Sequence, residues 1–409
     1  MPCWVSHLEG AIDAARLPAG QVASTHQGRP ILVRYDLAAV RQAVSPGALA
    51  RREQTLWRYR ELLPYRDEGQ VVSLGERMTP LLAAPRLARH LGLEQLWIKD
   101  ESQLPTGSFK ARGMALAVTM ARELGLRRLA LPTAGNAGGA AAAYAARAGL
   151  ECFVFMPQDT PRVNQLECLW AGARVFLVNG LIHDCGRLVR EGQSRMGWFD
   201  LSTLREPYRL EGKKTMGLEL AEQMQWHLPD VIFYPTGGGT GLVGMWKAFA
   251  ELTELGWLQG TSLPRMVAVQ SDGCCPIVRA LEAGARFAEP LAQPRTIASG
   301  IRVPTAVGDF LILDAVRASG GTAVAVPEAG LRDWMQLAWR LEGIPLCPEA
   351  AACVGAIEKL RDSGWLDPRQ NVVLFNTGAA QKYVEVLDAP LPRIDLAQPI
   401  DWDRIEAGG

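Results

Sequence analysis

A lysine at the start of a helix, just after Pro, Gly and Ser, is a residue that can do chemistry. Such a lysine is Lys110, in the run Pro105-Thr106-Gly107-Ser108-Phe109-Lys110-Ala111-Arg112-Gly113, which separates an apolar run ending in Lys99-Asp100 from a helical pattern. An amine attacks a carbonyl only while uncharged, and the positive end of a helix dipole disfavours an extra proton there. Lys110 is therefore a candidate nucleophile able to form a Schiff base. Lysines in a first helical turn are mostly solvated, so the assignment depends on what accompanies it.

Three further turns accompany it. Pro132-Thr133-Ala134-Gly135-Asn136-Ala137-Gly138-Gly139-Ala140 runs from an apolar strand into a helix so rich in Ala and Gly that something must pack closely on it, and Asn136 offers an amide donor to a ligand oxygen. Pro235-Thr236-Gly237-Gly238-Gly239-Thr240-Gly241 again follows an apolar strand and precedes a helix. Successive backbone N–H groups of such a loop, with the helix N-terminus, cradle a phosphate without a charged side chain. That run lacks both the Lys-Ser/Thr ending of a P-loop and the GxGxxG spacing of a dinucleotide fold. Asn376-Thr377-Gly378-Ala379-Ala380 ends the last apolar run, where Thr377 could present a hydroxyl to a ring nitrogen.

The elements that must position these turns alternate. Short apolar runs (LWIKD, RLALPT, CFVFMP, DVIFYPTGGG, RMVAVQ, NVVLFNTG) are separated by helical stretches at Phe109 to Leu124, Ala137 to Ala148, Glu211 to Gln225, Leu242 to Leu255 and Glu349 to Ser363. This alternation predicts an α/β fold with mostly parallel sheets, whose ligands sit where strands end and helices begin. The first 70 residues read as an extension: a poorly patterned start, then helical patterns at Asp36 to Val44 and Pro46 to Leu63. The tail after Asp388 is polar and reads as a surface strap. Two lobes are expected from 409 residues. With 43 basic and 43 acidic residues, nothing argues for nucleic acid. No run of 18 apolar residues and no secretory signal is found, which predicts a cytoplasmic protein that does not engage membranes. The eight cysteines show no CxxC spacing and read as structural or incidental thiols.

Lysine, asparagine, glycine loop and threonine, in that order and spacing, resemble the fold type II enzymes that use pyridoxal 5'-phosphate, and among them the threonine synthase family. The likeness runs from Ser73-Leu74-Gly75-Glu76 and Thr79-Pro80-Leu81-Leu82 through Trp97-Ile98-Lys99-Asp100-Glu101-Ser102 to Asn376-Thr377-Gly378. It implies two open, mostly parallel twisted sheets flanked by helices. A large cofactor-binding domain would be formed by 71–110 and 201–390, a small mobile domain by 111–200, with a tail at 391–409. It implies that Lys110 carries the cofactor and shuttles protons, that Asn136 binds the ring hydroxyl, that Gly237, Gly238, Gly239, Thr240 and Gly241 hold the phosphate, and that Thr377 faces the pyridine nitrogen. Substrate would meet Ser108, Thr133, Ala134, Gly135 and Arg209, the last in a stretch, Ser202 to Thr215, resembling the family's substrate-side segment. Arg112, Ser299, Arg302 and Asp309 could also approach the pocket, although Ser299-Gly300-Ile301-Arg302 and Gly308-Asp309 read equally well as simple surface turns of a Gly-containing loop.

The implied reaction is conversion of O-phosphohomoserine and water to threonine and phosphate. A β-replacement or β-elimination enzyme of the same fold, acting on serine, threonine, O-phosphoserine or a related amino acid, stays open, because the glycine loop also fits dehydratases. The expected partner is a small amino acid, possibly phosphorylated, and the expected assembly a homodimer. His7 to Asp36 resembles a metal-binding ribbon that has lost its cysteines, so no metal is expected.

Overall fold

A computed structural model describes residues 3–388 and 391–406. Its largest sheet has six strands in the order Thr322–Val326, Arg265–Ser271, Val231–Pro235, Asn371–Asn376, Gln95–Asp100 and Leu81–Ala83. All neighbours are parallel except the last pair. Side chains alternate between its faces as a period of two demands. Ile232, Tyr234, Met266, Ala268, Val373 and Phe375 feed one buried core. Val231, Phe233, Val267, Val269, Val372 and Leu374 feed another. Burial on both faces explains why these strands read as continuous apolar runs.

A second, fully parallel sheet has the order Arg174–Val178, Glu151–Pro157, Arg128–Pro132 and Phe199–Asp200. One face packs Leu129, Leu131, Val154 and Met156 against the alanines of helix Asn136–Ala148 and the buried side of helix Lys110–Glu123. The five helices predicted beyond the N-terminal extension are all present within a few residues of their expected bounds. The stretch expected to begin at Glu211 starts earlier, as helix Tyr208–Gln223, because the Glu206 carboxylate accepts from the backbone N–H of Tyr208 and Arg209 and caps it.

The extension departs from its reading in two ways. The poorly patterned start forms an antiparallel sheet of Arg16–Leu17, Val5–Gly10 and Ile31–Tyr35. The helix expected over Pro46 to Leu63 stops at Leu49 and resumes as a 3-10 turn, Leu56–Leu62. Long-range bonds replace helical ones there: Glu222 of helix Tyr208–Gln223 accepts from Arg58 Nη2 at 2.7 Å and from the Tyr59 hydroxyl at 2.6 Å. Tail residues 391–403 are exposed, and a short helix, Trp402–Glu406, closes the described chain. Among the described residues no helix is long and apolar enough to cross a membrane.

Helices Lys110–Glu123 and Tyr208–Gln223 touch backbone to backbone. A Cβ at Gly212 would stand 2.1 Å from the Arg112 carbonyl oxygen, and one at Gly113 would stand 3.0 Å from that of Arg209. Beneath the contact, Arg112 donates to Glu101 at 2.6 and 2.8 Å and to Glu219 at 2.8 Å, while Lys99 Nζ reaches Glu219 at 2.5 Å. These four charged side chains are fully buried, a condition tolerable only because each is paired and hydrogen-bonded. Arg112, expected to approach the pocket, is thereby spent on holding two helices to the sheet.

Gly212→Ala must push two backbones apart, and a loss of about 3 kcal/mol in denaturant unfolding is expected from overpacking of this kind. Gly47→Ala, with open space at its Cβ, should be neutral or slightly stabilising. Equal effects of the two substitutions would contradict the close approach.

Candidate active site

All four chemistry-bearing turns lie at the C-terminal ends of parallel strands. Strands Val231–Pro235, Asn371–Asn376 and Gln95–Asp100 are neighbours, which brings the glycine loop, Thr377 and the lysine turn together. The asparagine turn, from the second sheet, completes a cavity of about 360 Å³ lined by Lys110, Asn136, Gly237–Gly241, Arg209 and Thr377. Thr133, Ala134, Gly135, Ser299 and Arg302 also line it.

The lysine turn is stitched to the threonine turn by backbone bonds. Phe109 N–H donates to the Thr377 carbonyl at 3.1 Å, and Ala379 N–H to the Gly107 carbonyl at 2.8 Å. Thr106 and Gly107 both take positive φ, 64° and 63°. For a β-branched threonine that conformation is a real cost, of the kind concentrated at functional sites. The buried Lys382 ammonium ties the strained turn down, donating to the Thr106 carbonyl and pairing with Glu167. Ser108, expected at substrate, lies behind the wall: its backbone bridges Gly378 and its buried hydroxyl lacks a partner. Asp309 is also off the cavity, accepting from the backbone N–H of Ala288 and Phe310.

Lys110 Nζ lies 4.0 Å from the centre of the Phe109 ring. Among the described residues no carboxylate pairs with it. Burial, and next the Arg209 charge, lower its pKa to about 7 against a weaker opposing pull from Glu349. At neutral pH a large fraction is therefore the free amine. Lys213 Nζ stands 4.0 Å from the same ring, but it donates to the Phe109 carbonyl and does not line the cavity. Burial, with Lys110 the next contributor, holds Lys213 well below the ordinary lysine range. Arg209 donates to the Leu201 carbonyl at 2.5 Å while its Nε has no partner. Glu206, behind Arg209, is raised by burial to about 7.

The glycine loop is closed in from outside. Gly239 takes φ 75°, and a Cβ there would meet Ile312 at 2.2 Å. The chain then enters the 16-residue helix Thr240–Leu255, whose N-terminal amides face the cavity as an anion cradle.

Pyridoxal 5'-phosphate fits these residues. Its aldehyde needs a neutral amine, which Lys110 supplies, and its phosphate needs clustered N–H donors, which the loop and helix supply. Several buried polar atoms of the wall, Ser299 Oγ, Glu349 Oε2 and Arg209 Nε, lack protein partners and are the ones a ligand would satisfy.

Sequence reasoning missed Glu349, Tyr383 and Arg190, and gave no role to Lys213 in the quoted Ser202 to Thr215 stretch. Thr203 and Arg205 lay within the quoted Ser202 to Thr215 stretch without being singled out. Arg190 comes from helix Ile182–Met196 and carried no local signal. No group of three potential metal ligands exists among the described residues.

Amine modification of the apoenzyme at Lys110 should be half-maximal near pH 7, not near 10.5. Arg209→Gln removes a neighbouring positive charge and should move that midpoint upward. An unperturbed midpoint in the parent chain would contradict the desolvated amine.

The family model described as pyridoxal-phosphate dependent enzyme matches residues 72–378. The threonine synthase of Methanocaldococcus jannaschii is 36% identical, the alignment covering 85% of this chain and 85% of that protein. That of Methanosarcina acetivorans is 37% identical, covering 82% and 83%. The solved structure of maize serine racemase superposes with a TM-score of 0.64 at 19% identity, covering 81% of this chain and 92% of that one, a likeness of fold. The four turns, their shared cavity and this likeness along most of its length place the chain in the family of pyridoxal-phosphate-dependent enzymes to which it belongs, among the relatives of the threonine synthases.

Proposed function

We propose that the chain is a threonine synthase, converting O-phosphohomoserine and water to threonine and phosphate. The observation that carries this reading is a cationic wall. Arg190, Arg205 and Arg209 line the same cavity as Lys110. Burial and then the Arg190 charge lower the Arg205 pKa against a weaker pull from Asp200, so an anion bound beside both guanidinium groups would be favoured. An arginine fork suits the oxygens of a phosphate or carboxylate.

Bound pyridoxal 5'-phosphate would supply an electron sink for charge developing on the carbon beside the substrate's amino group. Lys110 would carry it. The other roles belong to the chain's own side chains. The freed Lys110 amine, near neutral in pKa, takes a proton from substrate carbon and later returns one. The Phe109 ring covers one side of that amine and keeps water from it. Asn136 would offer an N–H to the ring hydroxyl, Gly237 to Gly241 would hold the cofactor phosphate, and the Thr377 hydroxyl would face the ring nitrogen. Thr133 to Gly135 and Arg209 hold the substrate carboxylate, and Arg190 and Arg205 receive the departing phosphate. Residues 111–200 form the lobe that closes over substrate, and the enzyme works as a cytoplasmic homodimer. Both of these last statements rest on the family likeness.

The holoenzyme should release phosphate from O-phosphohomoserine, and Lys110→Ala should abolish the release. Arg205→Gln should raise KM for that substrate about ten-fold, the effect of one lost charge-assisted hydrogen bond, while leaving cofactor affinity unchanged. Inertness toward O-phosphohomoserine, with ketoacid formed from serine, threonine or O-phosphoserine, would show a sibling reaction instead.

A further inference from the structure

Glu349 opens helix Pro348–Asp362 and is buried in the cavity wall. Its Oε1 accepts from the Gly300 backbone N–H at 2.7 Å and lies 2.8 Å from the Tyr383 hydroxyl. Tyr383 in turn lies 3.2 Å from Asn136 Nδ2, and Asn136 Oδ1 accepts from Asn164 Nδ2 at 3.0 Å. The chain of contacts joins the Ser299–Ile301 loop, the C-terminal segment and helices Asn136–Ala148 and Arg162–Trp170.

Donor and acceptor chemistry orders the hydrogens from Gly300 through Glu349 and Tyr383 to Asn136. Gly300 can only donate, so Glu349 Oε1 is an acceptor. A phenol has one hydrogen, and the Asn136 amide nitrogen, which cannot accept, occupies the phenol's other side. Tyr383 must therefore give its hydrogen to Glu349 and accept from Asn136. Burial and the Glu349 charge keep the phenol protonated. With the phenol hydrogen given to the Glu349 carboxylate, the group Asn136 turns toward the phenol oxygen must be a donor, so its N–H faces Tyr383 and its carbonyl faces Asn164. One N–H of Asn136 is thus spent on Tyr383, and the second remains for an oxygen in the cavity.

We propose that Glu349 and Tyr383 are positioning residues that act through Asn136: they polarise its amide so that a free N–H, and not the carbonyl, faces the oxygen of the bound cofactor's ring. The inference deepens the reading of the cavity as a cofactor site and rests on it. Without Glu349 as terminal acceptor, the Tyr383 hydrogen has no fixed destination and can turn toward Asn136, which frees the amide to flip.

The test is titration of the apoenzyme with pyridoxal 5'-phosphate, read by visible absorbance and by induced circular dichroism of the bound chromophore. Tyr383→Phe and Glu349→Ala should each weaken binding about ten-fold, the scale of one misdirected hydrogen bond, and alter the induced dichroism. Glu349→Gln keeps an amide oxygen for both donors and should stay within about three-fold of the parent. If Glu349→Ala fails to fold, Tyr383→Phe, which removes a single oxygen, decides. Variants that match the parent in affinity and dichroism overturn the proposal while leaving the cofactor site standing, as does Glu349→Gln behaving like Glu349→Ala, which would point to charge. A parent chain that takes up no cofactor overturns both.

Discussion

The structure depends on the place where Arg112 and Gly113 of one helix meet Arg209 and Gly212 of another. No side chain separates them, so the helix that begins at Lys110 and the helix that carries Arg209 are held at backbone distance. Below, the Arg112 guanidinium binds Glu101 and Glu219 at once, and Lys99 completes the neutralisation of Glu219. Such a network contributes little net stability over an apolar core, but removing one member leaves a buried charge unpaired. It therefore fixes geometry. Lys110 cannot drift from Arg209, and its amine stays beside a positive charge in a desolvated wall.

The electrostatics of the cavity follow from that constraint. Lys110 and Lys213 both stand against the Phe109 ring, and Arg209 adds a third cation nearby. Packing three basic groups together would be costly if all stayed protonated, and the amines relieve it by losing their protons. The one beside the cavity, Lys110, is left largely uncharged near neutral pH, as a nucleophile must be. The other is bound to the Phe109 carbonyl and acts as a prop. Arg190 and Arg205 line the same cavity without an ion pair among the described residues, which leaves them open to an anionic ligand.

The fold and the cofactor-facing turns were legible because each sits at a strand-to-helix junction marked by Gly, Pro or Asn, and such junctions have a local signature. Lys110, Asn136, the Gly237 to Gly241 loop and Thr377 were found in this way, and they converge on one cavity. What local pattern could not reveal were residues whose place depends on tertiary contacts. Arg112 looked like a pocket residue from its position two places after Lys110, but half a helical turn points it into the Glu101 and Glu219 network. Ser108 precedes the lysine yet faces backward. Glu349 and Tyr383 are brought to Asn136 from more than 200 residues away, and no spacing in the sequence could announce a bond between them. The extension was misread for the same reason: Arg58 and Tyr59 are held by Glu222, not by a helix of their own.

The central claim is that the cavity selects Lys110 over every other lysine, including the fully buried Lys213 beside it. Borohydride reduction of the holoenzyme followed by peptide mapping tests this most directly. The account predicts a cofactor label on the peptide containing Lys110 and on no other. A label on Lys213, or on any lysine outside the Pro105 to Gly113 turn, would contradict it.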